Sequence, residues 1–87
     1  VTNSWVLNYL TVQARLAYLA ELERIGTERD LSWVYVEAPA LIPELPTGPD
    51  PTDAHRTVLS LVRWRDGACT VAQLATCHPH GFWIHWR

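Results

Sequence analysis

Apolar residues recur along this chain in two different rhythms, and the change of rhythm divides it into parts. From residue 4 to residue 25 no Pro or Gly interrupts Trp5, Val6, Leu7, Tyr9, Leu10, Val12, Leu16, Leu19, Leu22 and Ile25. Val12, Leu16 and Leu19 keep the i, i+4, i+7 spacing of one helix face, and Ser4, Asn8, Thr11 and Arg15 form a narrow polar stripe beside it. The pattern predicts a helix over 4–25. Asn3 or Ser4 is placed to accept the first-turn amides, and Gly26 to end the helix in a left-handed conformation. The first half is apolar around most of its circumference, more than one sheet face can cover.

Beyond Asp30 the rhythm shortens to two. Leu31-Ser32-Trp33-Val34-Tyr35-Val36-Glu37 is β-branched and aromatic, and reads as a strand over 31–37. Five of the six prolines then fall between Pro39 and Pro51, which predicts an extended loop over 39–53, since proline supplies no amide donor. Asp66-Gly67 between two alternating runs is a strong hairpin signal, pairing Thr57–Arg65 with Ala68–Thr76. A corner at 77–81 leads to a last strand over Phe82–Arg87, closing a β-meander over 57–87. Unbroken alternation across both turns puts Val58, Val62, Trp64, Cys69, Val71, Ala75, Phe82, Ile84 and Trp86 on one face. Leu59, Leu61, Arg63, Arg65, Thr70, Leu74, Trp83, His85 and Arg87 fall on the other.

The expected fold is a single small α+β domain over 1–87, one long N-terminal helix packed on an antiparallel sheet of about four strands. Its layout resembles the cystatin-like and nuclear-transport-factor-like architectures, a likeness that says nothing about activity. A second reading makes residues 54–65 helical and starts another helix at Thr70-Val71-Ala72-Gln73-Leu74-Ala75. Those residues resemble the opening of a helix-turn-helix, and that reading implies a winged-helix-like fold. The likeness stops at His78-Pro79-His80-Gly81, which breaks the chain where a recognition helix should stand.

Composition adds a charge asymmetry. All seven basic residues are Arg; three stand against eight acids in residues 1–53, and four against Asp66 alone in residues 54–87. Five Trp in 87 residues are more large amphipathic rings than so small a core absorbs, and such rings collect at contact surfaces. Cys69 and Cys77, on one strand, would lie roughly 26 Å apart, too far to bridge. A reducing, cytoplasmic compartment is therefore expected. No stretch has the roughly twenty apolar residues of a membrane span.

Gly-rich phosphate loops, a Gly-x-Ser-x-Gly elbow, paired HExxH histidines and a Cys-x-x-Cys pair are all absent, so the expected activity is binding, without catalysis. Cys77, His78 and His80 have the ligand types of a zinc corner, the alternative to a domain with no cofactor. Arg63, Arg65, Trp83, His85 and Arg87 form the predicted partner-binding set, joined by Trp5 at the apolar start of the helix. Leu, Trp and Arg without Lys suit a protein partner or a second copy of the chain, in an adaptor or inhibitor role. Guanidinium forks beside a stacking ring also suit nucleic acid, the competing reading.

Overall fold

The computed structural model describes residues 1–47 and 56–87. One helix, α1 (Val12–Glu28), lies on one face of a five-stranded sheet. The strands are β1 (Thr2–Ser4), β2 (Leu31–Glu37), β3 (Thr57–Arg65), β4 (Ala68–Cys77) and β5 (Ile84–Trp86), side by side in chain order. β1 runs parallel to β2 and every other pair is antiparallel, so the sheet is mixed. The predicted α+β layout holds, with one strand more than expected. Residues 57–65 and 68–77 are strands, which removes the winged-helix-like alternative.

The helix predicted over 4–25 is displaced. Thr2–Ser4 is a strand, Trp5 adopts a left-handed φ of 52°, Leu7–Tyr9 makes a single 3-10 turn, and α1 begins only after Thr11. The Thr11 hydroxyl accepts the Ala14 amide at 3.1 Å, and this is the cap that starts the helix. Gly26 does not end it. The helix passes through Gly26 to Glu28, and a Cβ at that position would stand 2.3 Å from Cγ of Trp64. The missing side chain is the space that the indole fills.

The helix is also rotated from its predicted face. Arg15, assigned to the polar stripe, is buried, while Val12 and Leu16 are exposed. Arg15 reaches Glu44 at 3.1 Å, with the two side chains only 11% and 18% exposed, so a partner from the proline-rich segment neutralises its burial. That segment is not extended over the part described. Leu41, Ile42 and Leu45 donate their amides to the carbonyls of Ala38, Pro39 and Ile42, in successive tight turns that sink Ile42 and Leu45 into the core. The Tyr35 hydroxyl donates to the Pro46 carbonyl at 2.8 Å. Residues 48–53 of the predicted loop lie outside the described residues.

The core lies between helix and sheet: Leu7, Leu22, Trp33, Tyr35, Ile42, Leu45, Val58, Val62 and Trp64. The hairpin forms as predicted. Asp66 and Gly67 take φ of 51° and 80°, the two left-handed residues of a type I′ turn, and the Asp66 amide donates to the Asp30 carboxylate at 3.2 Å. Farther along β4 the register slips. Leu59 stands opposite Ala75 and Ser60 opposite Gln73, leaving Leu74 as the extra residue of a β-bulge. One extra residue reverses every side chain beyond it. Ala75, Ile84 and Trp86, predicted to join Val58 and Val62, therefore share the opposite face with Leu59.

Replacing Gly by Ala inside a helix ordinarily stabilises it by about 1 kcal/mol. Gly26→Ala is expected to reverse that sign here and cost about 1–3 kcal/mol through overpacking against Trp64, read as a lower urea midpoint.

Candidate functional site

The face of the sheet turned away from α1 is apolar across its centre. Val34 is in register with Leu61 and Ala72, and Val36 with Leu59, Ala75 and Trp86. The one helix of the described residues packs on the other side, and on this side Val34, Val36, Leu59 and Leu61 are only half-buried. A sheet face left to water normally alternates to polar residues. This one does not.

At one end of that face lies a groove of about 900 Å³. Val36, Leu59, Cys77 and Ile84 are among its lining residues; Trp5, Asn8 and Tyr9 come from the N-terminal turn, and His78, His80 and Trp83 from the corner before β5. The corner folds on itself. Gly81 has φ of 77° and donates its amide to the His78 carbonyl at 2.9 Å, and the His78 amide donates to the Trp83 carbonyl at 3.0 Å. The His78 ring stacks on Phe82 at 4.6 Å, and its Nδ1 accepts the His80 amide at 3.0 Å, which leaves the proton of the neutral ring on Nε2. The groove therefore presents rings and aliphatics, with imidazoles at one side.

A buried carboxylate holds the opposite wall. Glu37 is fully buried, and its Oε1 accepts from Nδ2 of Asn3 at 2.9 Å, the Val6 amide at 3.0 Å and the Leu7 amide at 3.2 Å. The two amides open the 3-10 turn, where no local side chain caps them. Asn3 in turn accepts on Oδ1 from the Tyr18 hydroxyl at 3.2 Å and from the Trp33 indole. Between these anchors the Trp5 amide donates to the Val36 carbonyl at 2.9 Å. A bulky residue at positive φ is strained, and persists only where its surroundings over-determine it. Here Val36 holds one side of Trp5 and Glu37 the other, so the indole is held at the groove.

The predicted binding residues are divided. Trp5 and Trp83 come together at the groove. Arg63 is in register with Ser32 and Thr70 near the hairpin end of the same face, with Arg65 opposite Ala68 at its tip. His85 is in register with Thr76 and Val58, on the parity that faces the helix, though exposed at the edge. Arg87 follows β5 and donates its amide to the Leu74 carbonyl at 2.8 Å. The bulge puts Trp86 on the face of Arg63 and turns His85 to the other side, so the predicted set does not form one continuous Arg–aromatic face. At the predicted zinc corner Cys77 is buried, His78 Nδ1 accepts a backbone amide, and no group of three potential metal ligands occurs among the described residues. Burial also pushes the Cys77 thiol up from its ordinary range, leaving it a poor nucleophile at neutral pH.

Sequence reasoning missed Tyr9, Asn8 and Glu37. The first two were hidden inside the over-long helix, although Thr11 ahead of an unbroken helical run was a legible cap. Glu37 was legible by parity, an acid in step with Trp33 and Tyr35 on the inward side of a strand.

The chain belongs to a bacterial protein family: residues 1–86 match the family described as "Uncharacterized protein conserved in bacteria (DUF2332)". No curated protein and no solved structure matches it. No helix of the described residues is long and apolar enough to cross a membrane.

Glu37→Leu strands three donors and is expected to cost about 2–4 kcal/mol, whereas Glu37→Gln keeps an acceptor oxygen and costs about 1 kcal/mol. Denaturation midpoints give the difference, and amide exchange at Val6 and Leu7 should quicken in the leucine variant first. Burial raises the Tyr18 and Tyr35 phenols, the Glu37 charge adding to both and a Ser60 hydrogen bond opposing at Tyr35. The folded chain thus keeps protons that the unfolded chain releases. Stability from these groups is complete below the ordinary phenol value of about 10 and declines as pH rises beyond it. A urea midpoint followed through the alkaline range should fall, and fall less in Tyr35→Phe.

Proposed function

We propose that this chain is a non-enzymatic protein-binding module, an adaptor or inhibitor domain, whose contact surface is the uncovered sheet face and the aromatic groove at its end. The observation that carries this reading is the apolar face itself. Tyr9 is 82% exposed, Trp86 67%, and Trp83 and Ile84 39% each, around half-buried Val36 and Leu59. A monomer rarely leaves so contiguous an apolar surface to water, and the enrichment in aromatic rings is that of a protein contact. The occupant is a polypeptide segment that places an aliphatic or aromatic side chain between Trp5 and Trp83. Trp5 Nε1 and Asn8 Oδ1, a donor and an acceptor buried without partners among the described residues, are suited to a bound backbone after small side-chain adjustments. Free Cys69 and Cys77 suit a reducing, cytoplasmic setting.

Nucleic acid is the weaker reading. Its phosphate-binding arginines stand apart from the stacking rings, and a net charge of −2 repels a polyanion.

Peptides selected from a displayed random library should bind the wild-type chain and lose about 1–3 kcal/mol of affinity with Tyr9→Ser/Trp83→Ser, at unchanged thermal stability. Binders indifferent to that pair, or ligands lost with rising salt and with Arg63→Ala/Arg65→Ala, would overturn the proposal.

A further inference from the structure

On the helix side of the sheet a second cavity, of about 230 Å³, is lined by the indoles of Trp33 and Trp64, by Leu19 and Pro46, and by Glu23 and Glu44. Its aromatic walls are fixed in advance. Trp64 packs on Gly26, and Trp33 on Tyr18 and Tyr35, with ring centroids 6.1 and 5.0 Å apart. The charge around the cavity does not balance. Arg15 takes Oε1 of Glu44 at 3.1 Å, while Oε2 is buried with no hydrogen-bond partner among the described residues. Glu23 makes no ion pair among them, since Arg24 beside it in sequence is engaged by Glu21 and Glu28. The Glu23 charge is felt at Cys69, also on the cavity wall, where burial first and that charge second push the thiol up. One guanidinium against two carboxylates leaves a single negative charge, and none of the lining side chains is basic.

We propose that this cavity binds a primary alkylammonium ion, its nitrogen donating to Glu44 Oε2 and the Glu23 carboxylate and its stem lying against Leu19, Pro46 and the two indoles. The lining selects that chemistry. A carboxylate oxygen buried without a donor is unfavourable, and a charged N–H group supplies the donor. Aromatic rings attract a cation, more strongly where water is excluded. A primary ammonium uses both features. An alcohol forfeits the charge, a quaternary ammonium has no N–H for Glu44, and a guanidinium brings more donors than these acceptors serve. A hard divalent ion takes roughly six to eight oxygens, and no group of three potential metal ligands occurs among the described residues. The volume is below the roughly 300–1,000 Å³ of a drug-sized site, which suits a head group on a short stem. A free amine and a lysine side chain share this chemistry. The inference does not rest on the groove, which lies on the other face of the sheet.

The test is an NMR titration of the 87-residue chain with n-butylammonium chloride, against sodium chloride at equal ionic strength, read at the indole N–H signals of Trp33 and Trp64. Saturating shifts are expected. Glu23→Gln should weaken binding about ten-fold, and Glu23→Lys, which sets the chain's own ammonium at the cavity, should abolish it. Glu23 is exposed, so both variants should fold, and circular dichroism checks that they do. Tyr9→Ser/Trp83→Ser should leave the affinity unchanged. Nα-acetyl-lysine methylamide separates the two sources: binding at least as tight as that of butylammonium assigns the cavity to a lysine side chain, and failure to bind assigns it to a free amine. Shifts that do not saturate by about 100 mM overturn the proposal. So do equal shifts from n-butanol or tetramethylammonium, wild-type affinity in Glu23→Lys, or loss of binding in the groove variant.

Discussion

The Glu37 carboxylate ties the first residues of the chain to its second strand, and the geometry of the groove follows from that tie. One oxygen receives the amides of Val6 and Leu7 and the amide group of Asn3, across a sequence separation of thirty residues and more. An isolated buried carboxylate is unfavourable, and three donors directed at one oxygen offset that cost. In return the strand Thr2–Ser4 is pinned parallel to β2, and the chain reverses at Trp5. The 3-10 turn then carries Tyr9 and Asn8 round to the face opposite the helix. A local polar network thus decides which side of the sheet receives the N-terminal rings.

The bulge at Leu74 has a comparable influence at the other terminus. Without it, Ile84 and Trp86 would share the side of Val58 and Val62, under or beside the helix. With it, they join Leu59 and Val36. The N-terminal tie and the bulge therefore converge. Each sends aromatic or aliphatic residues to the face turned away from the helix, and the groove forms where the two ends of the sheet's chain approach one another. Both devices are small, one side chain and one extra residue, yet together they determine the chemistry of the groove and its surrounding face.

The two faces of the molecule differ accordingly. Between helix and sheet the large core side chains are buried and the main polar contacts join distant segments: Arg15 with Glu44, Asn3 with Glu37, Tyr35 with Pro46. On the other side the aliphatics are half-covered and several rings are exposed. The described residues hold one helix and more apolar surface than that helix covers, and this surplus is the physical basis of the proposed contact surface.

The sequence alone determined the elements whose causes are local. The strand 31–37 follows from its β-branched alternation, the hairpin from Asp66-Gly67, and the one-helix-on-one-sheet layout from the change of rhythm near Asp30. What it could not determine depended on contacts between distant residues. Apolar spacing over 4–11 suited a helix, and only the pull of Glu37 turned that stretch into a strand and a turn. Gly26 reads as a helix end until Trp64 arrives to fill its space, and Arg15 as a surface residue until Glu44 meets it. Alternation assigned faces correctly as far as Gln73. Tertiary structure inserted one residue there, and because side chains in a strand repeat every two residues, that single insertion decided which face became the site.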